Sequence, residues 1–310
     1  MYCKNCGTKL PDEGCFCPNC GCAFGKAQKV SLNLSDFSHP SDEKALKALK
    51  AIPGFSALLK AFFKIYSERQ FYIQNMSSNL RLCESQLPEY YRMLPPICEK
   101  LNIAVPELYL SLDVNPNAYT YGENNPFIVI TSGLLDTMPK ELIPTVLAHE
   151  CGHILCKHTL YRTMGDMILG GALLAVGTTG ITGLADLVSL PLQCAMFYWM
   201  RCSEYSADRV AILHDGTSEK LIEMCMRFSG YSGDMLTDAN KELFIKQAIE
   251  YKNYVADSGW NKTLEFFMMR NCSHPFNAVR AFEANSWNDS KQFEDALKII
   301  KENSGLYLKA

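Results

Sequence analysis

Two histidines four residues apart, with a glutamate directly after the first, constrain this chain more than any other feature: His149-Glu150-Cys151-Gly152-His153. The stretch that carries them, Lys140 to His158, has helical periodicity. At about 100° per residue, positions i and i+4 differ by about 40°, so both imidazoles leave one helix face about 6 Å apart along the axis. That spacing lets two ring nitrogens reach one zinc ion at about 2 Å, with Glu150 beside the metal's water. The competing interpretation is a solvated helix face, and the apolar flanks Val146, Leu147 and Ile154 argue against it. The fold must then bring a third donor to this helix. His158 follows His149 by nine residues, about 140° round from His153 on a continuing helix, and is a poor third ligand. Thr159 stands where the longer version of the motif would place its third histidine.

A better completion lies downstream. Arg201-Cys-Ser-Glu204-Tyr-Ser-Ala-Asp208-Arg209 sets two carboxylates at i and i+4 on one helical face. One can bind the metal while the other holds a ligand imidazole through its second nitrogen. Alone, such a pair is a solvated face; beside the histidine motif it is the best available donor set.

These motifs, with Ser273-His274-Pro275 and Arg280, resemble the motif set of the HtpX-like and CAAX prenyl protease-like zinc metallopeptidases (family M48). Asn117-Ala118-Tyr119-Thr120 and Val129-Ile-Thr-Ser-Gly-Leu-Leu135 are similar to that family's strand and following helix, and the similarity runs from about Pro40 to Ala284. The resemblance implies a zincin-type peptidase domain. In it His149, His153 and Glu204 are ligands of a catalytic zinc and Glu150 is the general base. Asp208 backs a ligand, and His274 and Arg280 line the site. His274 would be a donor to the transition state or a reversible fourth ligand. The implied chemistry is hydrolysis of a polypeptide: Glu150 takes a proton from water that zinc has acidified and returns it to the leaving amine. The alternative from another class is a catalytically weak adaptor or chaperone-like module that only binds protein. Retention of Glu150 together with all three donors argues for activity. Pro144, five residues before His149, removes a helical hydrogen bond and is a candidate kink.

Cysteine is the abnormal count: 14 in 310 residues, six of them within the first 22. Cys3-Lys-Asn-Cys6-Gly7 and Cys17-Pro-Asn-Cys20-Gly21 are paired turns that each present two thiolates, and four thiolates close a tetrahedral structural site. Cys15 and Cys22 could each replace a neighbour. The expectation is therefore two zinc ions, one catalytic and one structural, in a ribbon over residues 1–22. A polar linker over 23–40 and a metallopeptidase domain over 41–310 follow. The opening Met-Tyr-Cys-Lys-Asn-Cys has neither a basic nor an apolar leader segment, which with the thiols predicts a reducing, cytoplasmic setting. A formal charge of −3, and no basic cluster near the ribbon, leave nucleic acid unexpected as a partner.

Hydrophobic residues at 48% and charged residues at 20% exclude a mostly disordered chain. The fold class expected is mainly α with a small antiparallel β-sheet. Ser41 is the expected N-cap of a helix that Pro53-Gly54 ends. Leu108, Leu110 and Leu112 alternate, and Phe127 to Thr131 is a second β-rich run whose partner edge near Tyr119 could bind extended substrate. Met167 to Ala185 carries no charge over 19 residues, and Leu187 to Met200 none over 14. One span would part His149 from Glu204, and two spans need about 40 residues. A buried or peripherally attached helical hairpin is favoured, and a membrane hairpin is its rival. Oligomeric state is not legible.

Overall fold

The structure is a computed structural model that describes residues 8–9, 32–65, 67–169, 189–230 and 238–305. The expected ribbon ligands Cys3, Cys6, Cys17 and Cys20 lie outside the described residues, as do 170–188 of the uncharged run. Among the described residues no helix is long and apolar enough to cross a membrane.

Helices α1 (Leu34–Phe37), α2 (Pro40–Ala51), α3 (Phe55–Ile65) and α4 (Glu68–Ser78) lead into strand β1 (Leu80–Leu82). Helices α5 (Pro88–Tyr91) and α6 (Leu94–Leu101) precede β2 (Glu107–Ser111), β3 (Ala118–Tyr121) and β4 (Phe127–Thr131). The described elements that follow are helices: α7 (Ser132–Thr137), α8 (Ile143–Leu155), α9 (Thr159–Leu169), α10 (Leu190–Asp215) and α11 (Glu219–Gly230). Then come α12 (Lys241–Asp257), α13 (Gly259–Met269), α14 (Asn277–Asn288) and α15 (Lys291–Gly305).

The sheet order is β1-β2-β4-β3, and it is mixed rather than antiparallel as the sequence predicts. β1 and β3 run antiparallel to their neighbours, but β2 and β4 are parallel. The cause is the path of the chain. After β2 it crosses to the far edge, forms β3, and returns through a hairpin that inserts β4 beside β2. Gly122 makes that hairpin possible at φ +90°, where a Cβ would stand 2.7 Å from the Asn125 carbonyl oxygen. The amides of Glu123 and Asn124 donate to the Glu68 carboxylate at 2.7 and 2.9 Å, which pins the turn.

Among the described residues two main apolar cores result, beside a small cluster of Tyr109, Phe127 and Val129 on the other sheet face. The larger gathers Leu108, Ile128 and Ile130 from one sheet face with Ile97, Leu147 and Ala281 from the helices. The smaller joins α2, α3 and α9 to the first half of α10 through Leu49, Leu58, Phe62, Met164, Trp199 and Met200. Phe37, within the stretch predicted to be linker, is fully buried in the larger core. α2 begins one residue before Ser41: His39 is the N-cap, its ring accepting from the Ser41 amide, and Pro40 opens the helix. Ser41 is therefore not the cap.

α8 is shorter than the periodicity predicts. It opens at Ile143 with Pro144 in its first turn, where a missing N–H costs no hydrogen bond, so the helix is not kinked there. It closes at Leu155. Lys157 takes φ +57°, and the His158 amide donates to the His153 carbonyl at 2.9 Å while the Lys157 amide donates to that of Ile154 at 3.1 Å. This pair of bonds is a Schellman ending.

Candidate metal centre

α8 and α10 cross at Gly152. A Cβ there would stand 2.9 Å from Ala207 Cα, so only glycine lets the two backbones come this close. Ala207 lies between Glu204 and Asp208, and the close crossing brings both carboxylates to the histidine face of α8.

His149, His153 and Glu204, all buried, offer donor atoms within 4.8 Å of one another. His149 Nε2 is 3.4 Å from Glu204 Oε2, and His153 Nε2 is 3.4 Å from Glu204 Oε1. Those gaps are long for hydrogen bonds, but they match the edge of a tetrahedron of about 3.4 Å around a zinc with bonds of about 2.1 Å. Among the described residues Glu204 Oε2 is buried without a hydrogen-bond partner. A buried carboxylate oxygen in that state suits a cation, and a donor set of two imidazoles and a carboxylate fits zinc.

Each histidine is held from behind. His149 Nδ1 donates to Asp208 Oδ1 at 2.9 Å. Arg280 grips the same carboxylate twice, Nε to Oδ2 at 2.9 Å and Nη2 to Oδ1 at 2.6 Å. Burial would raise the Asp208 pKa, but the Arg280 guanidinium outweighs it and holds the group below its ordinary range. His153 Nδ1 lies 3.1 Å from His158 Nδ1, and His158 Nε2 lies 2.9 Å from Asp42 Oδ2. Arg162 of α9 donates to Glu204 Oε1 at 2.5 Å and to Ser203 Oγ at 3.1 Å.

Glu150 accepts from Thr120 Oγ1 of the edge strand β3 at 2.6 Å. Its pKa is raised, by burial above all, against the opposing His149 charge and the Thr120 bond. Two clefts meet at Glu150 and His274. One, of about 180 Å³, runs between β3 and α9 over Tyr121, Arg162 and Asp166. The other, of about 240 Å³, passes His149 toward Met224, Phe228 and Asn277. Asn117 and Ala118 border both. His274 sits in the turn before α14, exposed, with Nε2 3.6 Å from Glu204 Oε1 and Nδ1 3.0 Å from Ser273 Oγ.

His149, Glu150, His153, Glu204, Asp208, His274 and Arg280 thus converge on one point. Arg280 reaches it through Asp208. Three neighbours of the site lie outside the set that the helical faces predict: His158, Asp42 and Arg162. The signal for His158 was the end of the helix, which turns its ring back toward His153. Asp42 and Arg162 are buried charges from distant segments, and nothing local marks them.

The profile of peptidase family M48 matches residues 90–288. Plastoglobule-localized metallopeptidase 48, chloroplastic, of Arabidopsis thaliana is 28% identical over 276 residues, 88% of this chain and 78% of that protein. Protease HtpX of Legionella pneumophila (strain Corby) is 29% identical over 126 residues, 40% of this chain and 39% of that protein. Protease HtpX homolog of Ralstonia pickettii (strain 12J) is 26% identical over 167 residues, 48% of this chain and 58% of that protein. The chain therefore spans less than two thirds of these two HtpX relatives. No solved structure matches it.

Proposed function

Because this chain belongs to peptidase family M48 and is by that membership a metalloprotease, we propose that it hydrolyses internal peptide bonds at a zinc held by His149, His153 and Glu204. The observation that carries this reading is the spacing of those donors, with an orphaned carboxylate oxygen among them and Glu150 beside them in a cleft. Zinc there supplies a Lewis acid that acidifies water and polarises a carbonyl.

The chain's own groups do the rest. Glu150 is the general base: Thr120 occupies its Oε2, which leaves Oε1 to take a proton from the attacking water and deliver it to the leaving amine. A carboxyl whose pKa burial has raised is better matched to both halves of that transfer. His274 presents Nε2 to the same point and donates to the developing oxyanion. Arg280 and Asp208 hold His149 in place. Among the described residues β3 has no neighbour strand on its outer side, and an extended polypeptide adds there by backbone hydrogen bonds, its side chains falling into the two clefts.

We assign a second, structural zinc to Cys3, Cys6, Cys17 and Cys20 on their spacing. The eight cysteines of the described residues are free thiols, Cys98 and Cys151 among them with sulfurs 3.9 Å apart, which favours a reducing, cytoplasmic setting. The uncharged run is the part of the chain suited to touch a membrane.

The test is cleavage of an unfolded casein-like protein. Wild type cleaves it, and Glu150→Gln at equal metal content loses nearly all activity, since an amide cannot accept the proton. Cleavage by Glu150→Gln at the wild-type rate would refute the assignment. His274→Ala is expected to lower turnover about 10²–10³-fold with metal content unchanged. A gain in activity would instead make His274 a latency ligand.

A further inference from the structure

The two proposed histidine ligands are oriented by different means. His149 Nδ1 meets its carboxylate directly, whereas His153 Nδ1 faces a second imidazole, His158. His158 gets there because α8 stops at Leu155. The left-handed Lys157 and the bond from the His158 amide to the His153 carbonyl fold the ring back over the last turn. Behind it stands Asp42, delivered by the first turn of α2 from 116 residues away. Asp42, His153 and His158 are each at most 6% exposed, so bulk water has little access to their polar atoms.

The acceptor at the far end sets the direction of the hydrogen bonds along this chain. Asp42 accepts from three directions: Ser206 Oγ at 2.7 Å, Trp199 Nε1 at 3.1 Å and His158 Nε2 at 2.9 Å. Burial raises its pKa, but these donors outweigh burial and hold it below the ordinary range, so it is a carboxylate and accepts only. The proton between Asp42 and His158 therefore sits on His158 Nε2. A neutral imidazole with a proton on Nε2 has a lone pair on Nδ1. His153 must then supply the proton between the two Nδ1 atoms, 3.1 Å apart, and its own Nε2 keeps the lone pair that faces Glu204.

We propose that Asp42, acting through His158, fixes the tautomer of His153 and so sets how tightly the His149–His153–Glu204 site holds its metal. The proposal rests on the metal-site reading above. Asp42 and His158 are positioning residues that touch neither metal nor substrate.

The test uses the full chain and Co²⁺ as the probe. Visible d–d absorption reports an imidazole–carboxylate site, and sulfur-to-cobalt charge-transfer bands report thiolate sites separately. Asp42→Asn and His158→Phe are each expected to weaken Co²⁺ binding at the first site about 10–100-fold. The Phe variant keeps the edge contact of residue 158 with Trp199, 5.8 Å between centroids, and removes both hydrogen bonds. Ser206→Ala also strips a donor from buried Asp42 but leaves the relay, and its affinity stays within threefold. A double-variant cycle separates relay from packing: once His158 is gone, Asp42 has no route to His153, so the double variant is no weaker than either single one. Losses that multiply in the double variant would overturn the proposal. So would a folded Asp42→Asn chain with affinity within threefold of wild type. If Asp42→Asn fails to fold by far-UV circular dichroism, His158→Phe is judged on the same threshold. His149→Ala guards the premise: if it leaves the d–d bands unchanged, the metal-site reading fails, whatever Asp42 does.

Discussion

Gly152 has no room for a methyl group, with Ala207 Cα at 2.9 Å and Ala207 O at 3.0 Å from where its Cβ would lie. Gly152→Ala must push α8 away from α10. A loss of about 1–3 kcal/mol in stability is expected from such overpacking, with weaker metal retention because Glu204 moves with α10. Thermal melts and metal analysis check both. Arg280→Lys is not conservative here: a point charge cannot reproduce the two-pronged grip on Asp208, and metal affinity should fall about tenfold in chelator competition. At this scale the sequence was most readable where one helix carries both partners. The pairs His149/His153 and Glu204/Asp208 follow from the helical repeat alone. His158 is no ligand, as its place on the wheel predicts, but the wheel does not continue past Leu155, where the helix stops, and so gives no sign that its ring lies behind His153. Asp42 and Arg162 meet the site across 116 and 42 residues of chain, and no local pattern encodes such contacts.

Among the elements, α14 is tied to two others by one side chain. Glu283 lies 3.7 Å from His39 at the cap of α2 and 2.7 Å from Lys252 on α12. The contact with His39 first, then Lys252, lowers its pKa to about 2 against the opposing effect of burial. A depressed carboxyl stabilises the fold above its unfolded pKa of about 4.3 and loses that contribution as pH falls through the folded value. Glu283→Gln should therefore cost about 1–2 kcal/mol at pH 7, discounted for solvent screening. The gap to wild type should narrow steadily between about pH 4.5 and 2. Denaturant melts at several pH values read this directly, and a gap that is constant with pH would show that the ion pairs carry none of it. The strands Glu107–Ser111 and Phe127–Thr131 were legible as β-rich runs. Their mutual direction was not, since alternation marks a strand but not which way its neighbour runs. β1 has only three residues, too short for a period-two pattern to stand out.

For the molecule as a whole, composition announced a folded chain but not its division into two main cores, because both draw on the same apolar residue types. The proposed zinc ions should differ in lability. A four-thiolate site is closed, whereas the peptidase site keeps a position open to water. A chelator should therefore strip one zinc per chain well before the other, and activity should vanish with the first. Simultaneous loss of both, or one zinc per chain by metal analysis, would contradict this. α10 adds a mechanical constraint. Its 26 residues form one uninterrupted rod whose first half is clamped in the smaller core and whose second half is clamped in the larger, with Glu204 and Asp208 in between. Swinging the two cores apart about the site would require bending that rod. The rod therefore opposes clamshell closure as the step that admits substrate. Entry and exit are left to the exposed turn at His274 and the open side of β3, and amide exchange across 202–210 should stay at the global unfolding limit with or without metal.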